Sequence, residues 1–353
     1  MKRLLIDSYR KLLYRITGLS RDSLAQDYER VFVGGAESDP AFDDVVHPCV
    51  IRLENKFLGS YWWMIYTPYL NYDSSVENPI ICRASDYSRN VVPNSWERFK
   101  VVVDRPSKGY NSDPFLLFKD NSLMFGWRES HTPNADAFGA VRCLFVGGIN
   151  ERGEVYHNKT PVVREASASL DRTISPSLIL KESGYGMYCM DLRLRRKIDH
   201  LFVNRFAKSI LSFFDLTYVW RRIQCNGLAL YEIDADLHSK GRYKRTIPFV
   251  NLHLLYQPWH HEMFLIKDEL YVIALSNKEN GDIIIGKYDQ SLSAFKFSKR
   301  PVLTPESSNL LGLYKPSVVV FDDFISVFFT GQFPGKRGMN ALFNTKVYLT
   351  DLL

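Results

Sequence analysis

The sequence predicts an all-β fold, and three observations predict it. A five-residue phrase recurs along the chain: His47-Pro48-Cys49-Val50-Ile51, Asp113-Pro114-Phe115-Leu116-Leu117, Ser175-Pro176-Ser177-Leu178-Ile179, His261-Glu262-Met263-Phe264-Leu265 and Lys315-Pro316-Ser317-Val318-Val319. After each phrase come a short polar turn and a second apolar run. The second and fourth copies, DPFLLFKDNSLMFGW and HEMFLIKDELYVIAL, carry Lys119-Asp120 and Lys267-Asp268 at the same offset. Aromatic residues make up 14% of the chain, which suits pleated surfaces. Internal repeats of this kind are supersecondary units that bury their faces against one another. Four strands in about sixty residues make one propeller blade. The expected fold is therefore a five-bladed β-propeller with blades starting near residues 47, 113, 175, 261 and 315.

The elements follow in order. Residues 1–30 read as helical, because Leu5, Tyr9, Leu12, Leu13 and Ile16 recur at helical spacing with Lys2, Arg3, Arg10, Lys11 and Arg15 on the other side. This segment is expected to pack on the main domain, with contact to a membrane surface or a protein partner as the alternative. Residues 31–353 hold the propeller. Val31, Phe32 and Val33 give a short strand. The first blade continues through 61–67, 80–84 and 101–103, all β-forming runs bounded by turn residues. The second continues through 123–127, 140–145 and 162–163. Residues 186–190 are the second strand of the third blade, which a helical insertion over about 191–225 then interrupts. That insertion opens on Arg193, Arg195, Arg196 and Lys197, read as a solvated face. Strands resume at 229–233, 282–286 and 325–329.

Bulk properties exclude several classes. The net charge of +6 is compatible with acidic ligands, but no long basic stripe marks a nucleic-acid binder. The five cysteines, Cys49, Cys82, Cys143, Cys189 and Cys225, form no CxxC pair and read as reduced thiols rather than a zinc ribbon or disulfide framework. The first residues lack the apolar stretch of a secretory signal, and no run is long enough to span a bilayer. A cytoplasmic protein is the expectation, and a phage-borne one would look the same.

In a propeller the innermost strand of each blade lines the central channel and starts at one of its mouths. The first residues of the five phrases then converge on one funnel. They are His47, Asp113, Ser175, His261 with its neighbours His260 and Glu262, and Lys315. Scaffold positions would be uniform; these vary from blade to blade and are all polar or ionisable. His47 suits a general base, because imidazole titrates near neutral pH. Glu262 or Asp113 suits the acid. Ser175, His260, His261, Lys315, Trp259, Tyr66 and Arg128 are expected to bind substrate, with Tyr69, Trp127 and Tyr314 as further stacking rings and Glu129 as a polar contact. No cofactor is expected, although the histidines and carboxylates could also hold a divalent metal.

The phrases resemble the five-bladed β-propeller glycoside hydrolase superfamily that includes arabinanases, β-xylosidases, invertases and levansucrases. The first blade, HPCVIRLENKFLGSYWWMIYTPYL, carries the resemblance most specifically, and the likeness extends over about 40–353. It implies a blade-one aspartate as base or nucleophile, a blade-two aspartate that tunes the acid, and a blade-three glutamate as acid. Asp113 stands in the second place, but His47 and Ser175 stand in the other two. Glycoside hydrolysis ordinarily needs two carboxyl groups, one to protonate the leaving oxygen and one to attack or activate water. The sequence thus implies a divergent glycoside hydrolase or transglycosidase with a carbohydrate ligand. Alternatives are a non-catalytic carbohydrate-binding propeller and an assembly protein docked through residues 1–30.

Overall fold

A computed structural model describes residues 23–25, 27–34, 44–69, 73–131, 141–158, 160–194, 223–237, 239–252, 256–277, 281–332 and 340–352. The helical reading of residues 1–22 and of 195–222 lies outside these residues, and so does the membrane or partner contact expected of the first segment. The margins of both segments differ from expectation. Residues 28–30 belong to a strand, and so do 191–194 and 223–225, where long blade strands run on past the apparent helical periodicity.

The described residues are almost entirely β. The first run of strands is β1 (Tyr28–Val33), β2 (Val45–Phe57), β3 (Ser60–Pro68), β4 (Ile80–Arg83) and β5 (Ser95–Val101). Next come β6 (Tyr110–Lys119), β7 (Ser122–Ser130), β8 (Arg142–Ile149), β9 (Val155–His157) and β10 (Val163–Glu165). A third set is β11 (Leu170–Lys181), β12 (Gly184–Leu194), β13 (Ile223–Ile233) and β14 (Arg242–Ile247). A fourth is β15 (Phe249–Val250), β16 (His261–Ile266), β17 (Glu269–Leu275), β18 (Ile283–Asp289) and β19 (Ala294–Phe297). A single helical turn, α1 (Pro305–Ser308), precedes β20 (Gly312–Val320), β21 (Phe324–Gln332) and β22 (Asn340–Tyr348). Thr304 caps that turn with a reciprocal capping box.

These strands form four sheets. Three are separate: β10-β8-β7-β6 with β9 beside β8, β11-β12-β13-β14, and β15-β19-β18-β17-β16. The fourth runs β2-β3-β4-β5-β1-β22-β21-β20. Its middle is the closure of the ring. β1 pairs antiparallel with β22 near the chain's other end and parallel with β5, so the first strand joins the first hairpins to the last. The strands that open each repeat, β2, β6, β11, β16 and β20, touch one another in sequence, and β20 returns to β2. They enclose a central channel.

The second strand of each repeat, such as β3, β7, β12 and β21, is buried on both faces, which is why it reads as a near-continuous apolar run, whereas outer strands such as β5 and β14 are largely exposed. Trp62 and Trp63 show the consequence. As neighbours on a strand they point to opposite faces, and both are fully buried. Trp62 packs toward Val319, Phe328 and Leu342, whereas Trp63 packs toward Phe115, Leu144 and Met187. Burying a side chain of this kind contributes roughly 1.5–3 kcal/mol.

The inner strands would leave edge N–H groups without partners, and side chains supply them. The N–H of Val50 donates to Oγ of Ser317, that of Leu116 to Sγ of Cys49, that of Met263 to Oγ of Ser177, and that of Val318 to Oε1 of Glu262. Each bond crosses from one inner strand to the next. Cys49, Ser177, Glu262 and Ser317 thus stitch the ring together. All five cysteines are free thiols, as expected, and four are buried. Among the described residues no helix is long and apolar enough to cross a membrane.

Candidate functional site at the channel mouth

The starts of three inner strands, β2, β6 and β11, are bent by the same device. His47, Asp113 and Ser175 have φ of 53°, 49° and 49°. At each the pairing register shifts, between Val46 and Cys49, between Ser112 and Phe115, and between Ile174 and Ser177. A bulge places an extra residue in one strand and re-aims its side chain. The proline that follows has no N–H for the ladder, which the bulge makes harmless. Left-handed φ at a residue other than glycine disfavours the fold by of order 1–3 kcal/mol, and such strain collects at functional sites.

In the fourth repeat the funnel position falls one residue earlier than the phrase suggests. The first hairpin turns place Asp120-Asn121 and Lys267-Asp268 at positive φ, so Asp120 corresponds to Lys267 rather than to Asp268. Counting back the same distance pairs Asp113 with His260. A one-residue slip sends side chains to the opposite face. His260 therefore reaches the funnel, and His261 takes the place that proline holds in the other copies, against the channel cavity.

His47, Asp113, Ser175 and His260 come together. Nδ1 of His260 lies 2.6 Å from Oγ of Ser175 and 3.3 Å from Oδ1 of Asp113. Oγ of Ser175 donates to the same carboxylate oxygen at 3.3 Å. Nε2 of His47 stands 3.8 Å from it. Tyr314, expected as a stacking ring, instead closes the group, with its hydroxyl 2.7 Å from Nε2 of His260 and its ring centroid 5.3 Å from that of His47. One member escaped the sequence reading. Oε2 of Glu77 lies 3.2 Å from Nδ1 of His47, and Thr67 Oγ1 lies 3.0 Å from the same nitrogen. Glu77 comes from the turn before β4, outside the repeated phrase. Its signal was the Glu77-Asn78-Pro79 loop, which looked like a simple connection.

Electrostatics sort the group. Burial works against the Asp113 carboxylate, yet His47, His260 and Lys315 around it hold it well below the usual carboxylate range. Burial drives His260 down to about 3, against the upward pull of Asp113. Asp113 is then anionic and His260 neutral at neutral pH. Burial raises Glu77, partly offset by its bond to His47, and burial raises the Tyr314 phenol well above its usual value. One donor atom each from His47, Asp113 and His260 lies within 4.8 Å of the others, a spacing that suits a metal ion. Deprotonated carboxylate and neutral imidazoles are the forms that ligate.

Other expected site residues lie elsewhere. Glu262, Lys315 and His261 line the channel cavity beneath the funnel, together with Cys49 and Ser177. Glu262 is there because its carboxylate is one of the stitches between inner strands. Lys315 donates to the Pro114 carbonyl at 3.1 Å. Tyr66 is 1% exposed in the core between Val50, Trp62 and Leu342, so its ring has no free face. Trp259 packs edge-on to His260 with its body in the core. Trp127 stacks on Phe145, and Glu129 pairs with His131. Arg128 is buried behind the funnel, bonded to Asp171, Thr173 and Tyr110.

A ring of inner strands enclosing a channel is an architecture shared with solved carbohydrate-acting propellers. The chain has the propeller fold of such enzymes, the resemblance that its phrases imply. An exo-1,5-α-L-arabinanase from a bovine ruminal metagenomic library superposes with a TM-score of 0.55 at 15% identity, over 86% of this chain and 93% of that one. A β-xylosidase gives 0.59 at 12% identity, over 91% and 94%. An N-acetylgalactosamine deacetylase from F. plautii, solved with blood group B trisaccharide, gives 0.59 at 14% identity over 94% of both chains. In sequence, 120 residues are 28% identical to the A type blood N-acetyl-α-D-galactosamine deacetylase of Flavonifractor plautii. That stretch is 33% of this chain and 15% of the relative's length. No protein-family model matches the sequence.

Proposed function

We propose that the protein is a carbohydrate-modifying hydrolase that removes an N-acyl group from an amino sugar and leaves the glycosidic bond intact. The scaffold in this reading has five blades, the eight-stranded sheet counting as the first and last blades joined through β1 and β5. The observation that carries the proposal is the convergence of His47, Asp113 and His260, backed by Glu77 on the far nitrogen of His47. A carboxylate behind a ligating imidazole fixes its tautomer and orients the other nitrogen, the usual second shell of a metal site. Nε2 of His47, the Asp113 carboxylate and His260 would hold a divalent ion, and this donor set fits zinc, iron, manganese or nickel. Such an ion supplies Lewis acidity toward an acyl carbonyl.

The chain's own residues do the rest. Glu77 holds the proton on Nδ1 of His47. Asp113 stays ionised beside it. Tyr314 orients His260, and its hydroxyl, with that of Ser175, offers hydrogen bonds to the acyl oxygen or the departing nitrogen. The partial likeness to a deacetylase supports this choice. So does Ser175, which stands where the glycosidases of this fold are expected to carry their acid.

A second reading, glycoside hydrolysis, is favoured by Glu77, because with Asp113 it gives the funnel two carboxyl groups. Mass spectrometry of products from N-acetylated amino-sugar oligosaccharides separates the two. Acetate release with an intact oligosaccharide is expected. Cleaved oligosaccharide would establish the glycosidase instead, and binding without any product would leave a carbohydrate-binding propeller.

A further inference from the structure

The channel beneath the cluster carries an inference independent of the reaction at its mouth. A cavity of about 390 Å³ occupies it, lined by all five inner strands. Most polar groups on its wall are engaged: Cys49, Ser177 and Glu262 accept the N–H groups of neighbouring strands. Two are not. Lys315 is 2% exposed, and the Pro114 carbonyl is the hydrogen-bond partner of its ammonium, at 3.1 Å. Among the described residues no carboxylate oxygen lies within 4.0 Å of that ammonium. An ammonium has three donors and a full charge, and one carbonyl satisfies neither. A buried charge is normally paired, because removing it from water is expensive. His261 is 1% exposed, and neither ring nitrogen has a hydrogen-bond partner among the described residues, although the Tyr188 carbonyl lies toward the ring.

The spare capacity of the cavity is thus donor capacity beside a fixed positive charge. We propose that the central channel is a binding site for a small monovalent anion, such as chloride, nitrate or a short carboxylate, held by the ammonium of Lys315 and a ring N–H of His261. The anion supplies a counter-ion in direct contact with Lys315, where Asp113 and Glu262 act on it only from a distance. Valence follows from the buried part of the wall, where Lys315 and the carboxyl group of Glu262 lie, Arg52 and Glu54 standing at the outer end. A divalent anion would leave one charge unmatched in a poorly solvated space. Entry lies along the inner strands toward half-buried Arg52 and exposed Glu54 on the cavity wall.

Crystals of the native protein soaked in sodium bromide test the site directly. The expected result is an anomalous bromide peak within hydrogen-bond distance of Nζ of Lys315. Thermal unfolding gives the second reading, in sodium chloride, nitrate, acetate and sulfate at matched ionic strength. A saturable rise in melting temperature is expected with the three monovalent anions and not with sulfate, and it disappears in Lys315→Met. Bromide peaks at the surface alone overturn the proposal. So does a rise of equal size in Lys315→Met, or stabilisation by calcium chloride that sodium chloride does not match. Should Lys315→Met fail to fold, the bromide soak and the His261→Phe variant decide, since His261→Phe must weaken anion stabilisation several-fold.

Discussion

Nδ1 of His47 lies 3.2 Å from Oε2 of Glu77, and both side chains are buried. The carboxylate fixes which nitrogen of the imidazole faces the funnel, so Glu77 acts as a positioning residue through His47. Glu77→Gln keeps the shape but removes the charge. The expected result is a 10–100-fold loss in metal affinity and in kcat, the range typical of second-shell partners. Metal titration calorimetry and turnover on an N-acetylated amino sugar check it, with circular dichroism to show that the fold persists. A variant with unchanged metal affinity would reduce Glu77 to packing.

Asp113 is central to the group, within 3.3–3.8 Å of Ser175, His260 and His47. Asp113→Asn removes the anion between two imidazoles. Activity is expected to fall by at least about a hundredfold, the lower end for loss of a positioned acid–base or charged group. His260→Ala should fall comparably, whereas His261→Ala, displaced to the channel wall, should leave kcat within a few-fold. Steady-state kinetics on the three variants distinguishes the funnel residue from its neighbour, and a larger loss at His261 would reverse the register assigned to the fourth repeat.

The inner strands were legible in the sequence because four of the five repeat one pattern: a polar residue, a proline, then an apolar run. The cluster was legible in part, since His47, Asp113 and Ser175 sit at that pattern's first place. The fourth copy misled because it lacks the proline that marks the bulge, so His261 looked equivalent to Asp113 when His260 is. Glu262 looked catalytic because a carboxyl group near a mouth suggests chemistry. Its burial serves an unpaired N–H on Val318, and such cross-blade bonds leave no mark in a linear pattern. Glu77 was invisible for the opposite reason: it lies on a connection whose sequence repeats nowhere. Strand β1 was legible from Val31-Phe32-Val33 before the Gly34-Gly35 turn signal, but its pairing with β22 depends on ring closure and could not be read locally.

Glu262 should leave a signature in the pH dependence of stability. Burial, the largest influence, raises its carboxyl from the usual 4.5 to about 7, although the Val318 N–H, Ser317 and Lys315 all pull it down. Between these values the folded protein holds the proton and the unfolded chain does not. Stability from this group is therefore full below about pH 4.5 and is lost as pH rises through about 7, by about 3 kcal/mol in all. Urea denaturation of metal-free protein from pH 5 to pH 8 should show that fall, superimposed on other groups. Glu262→Gln, which still accepts from Val318, should flatten it. Glu262→Leu also removes the charge but leaves the Val318 N–H orphaned, at about 1–3 kcal/mol. An unchanged pH slope in Glu262→Gln would mean that the carboxyl group titrates normally.

Behind the funnel, one carboxylate holds two buried guanidinium groups. Oδ2 of Asp171 lies 3.1 Å from Nη2 of Arg128 and 3.2 Å from Nε of Arg142. Its Oδ1 accepts from the Thr173 N–H at 3.0 Å and hydroxyl at 2.7 Å. Arg128 also reaches Oγ1 of Thr173 and the Tyr110 hydroxyl, at 3.0 and 3.2 Å. The network ties β7 and β8 to β11, so it fixes the second and third sheets against each other just below Asp113 and Ser175. Removing the shared anion takes from both buried guanidinium groups the carboxylate that balances their charge. Asp171→Asn should destabilise by about 3–5 kcal/mol, the range for breaking a buried pair from one side. Arg142→Met alone leaves Asp171 still paired with Arg128 and should be milder. Because the three groups act together, the double variant Arg128→Met/Asp171→Asn should be less destabilised than the sum of its parts, with a coupling of about 0.5–3 kcal/mol. Chemical denaturation of the single and double variants measures that coupling, and simple additivity would show that Arg128 is held by something other than Asp171.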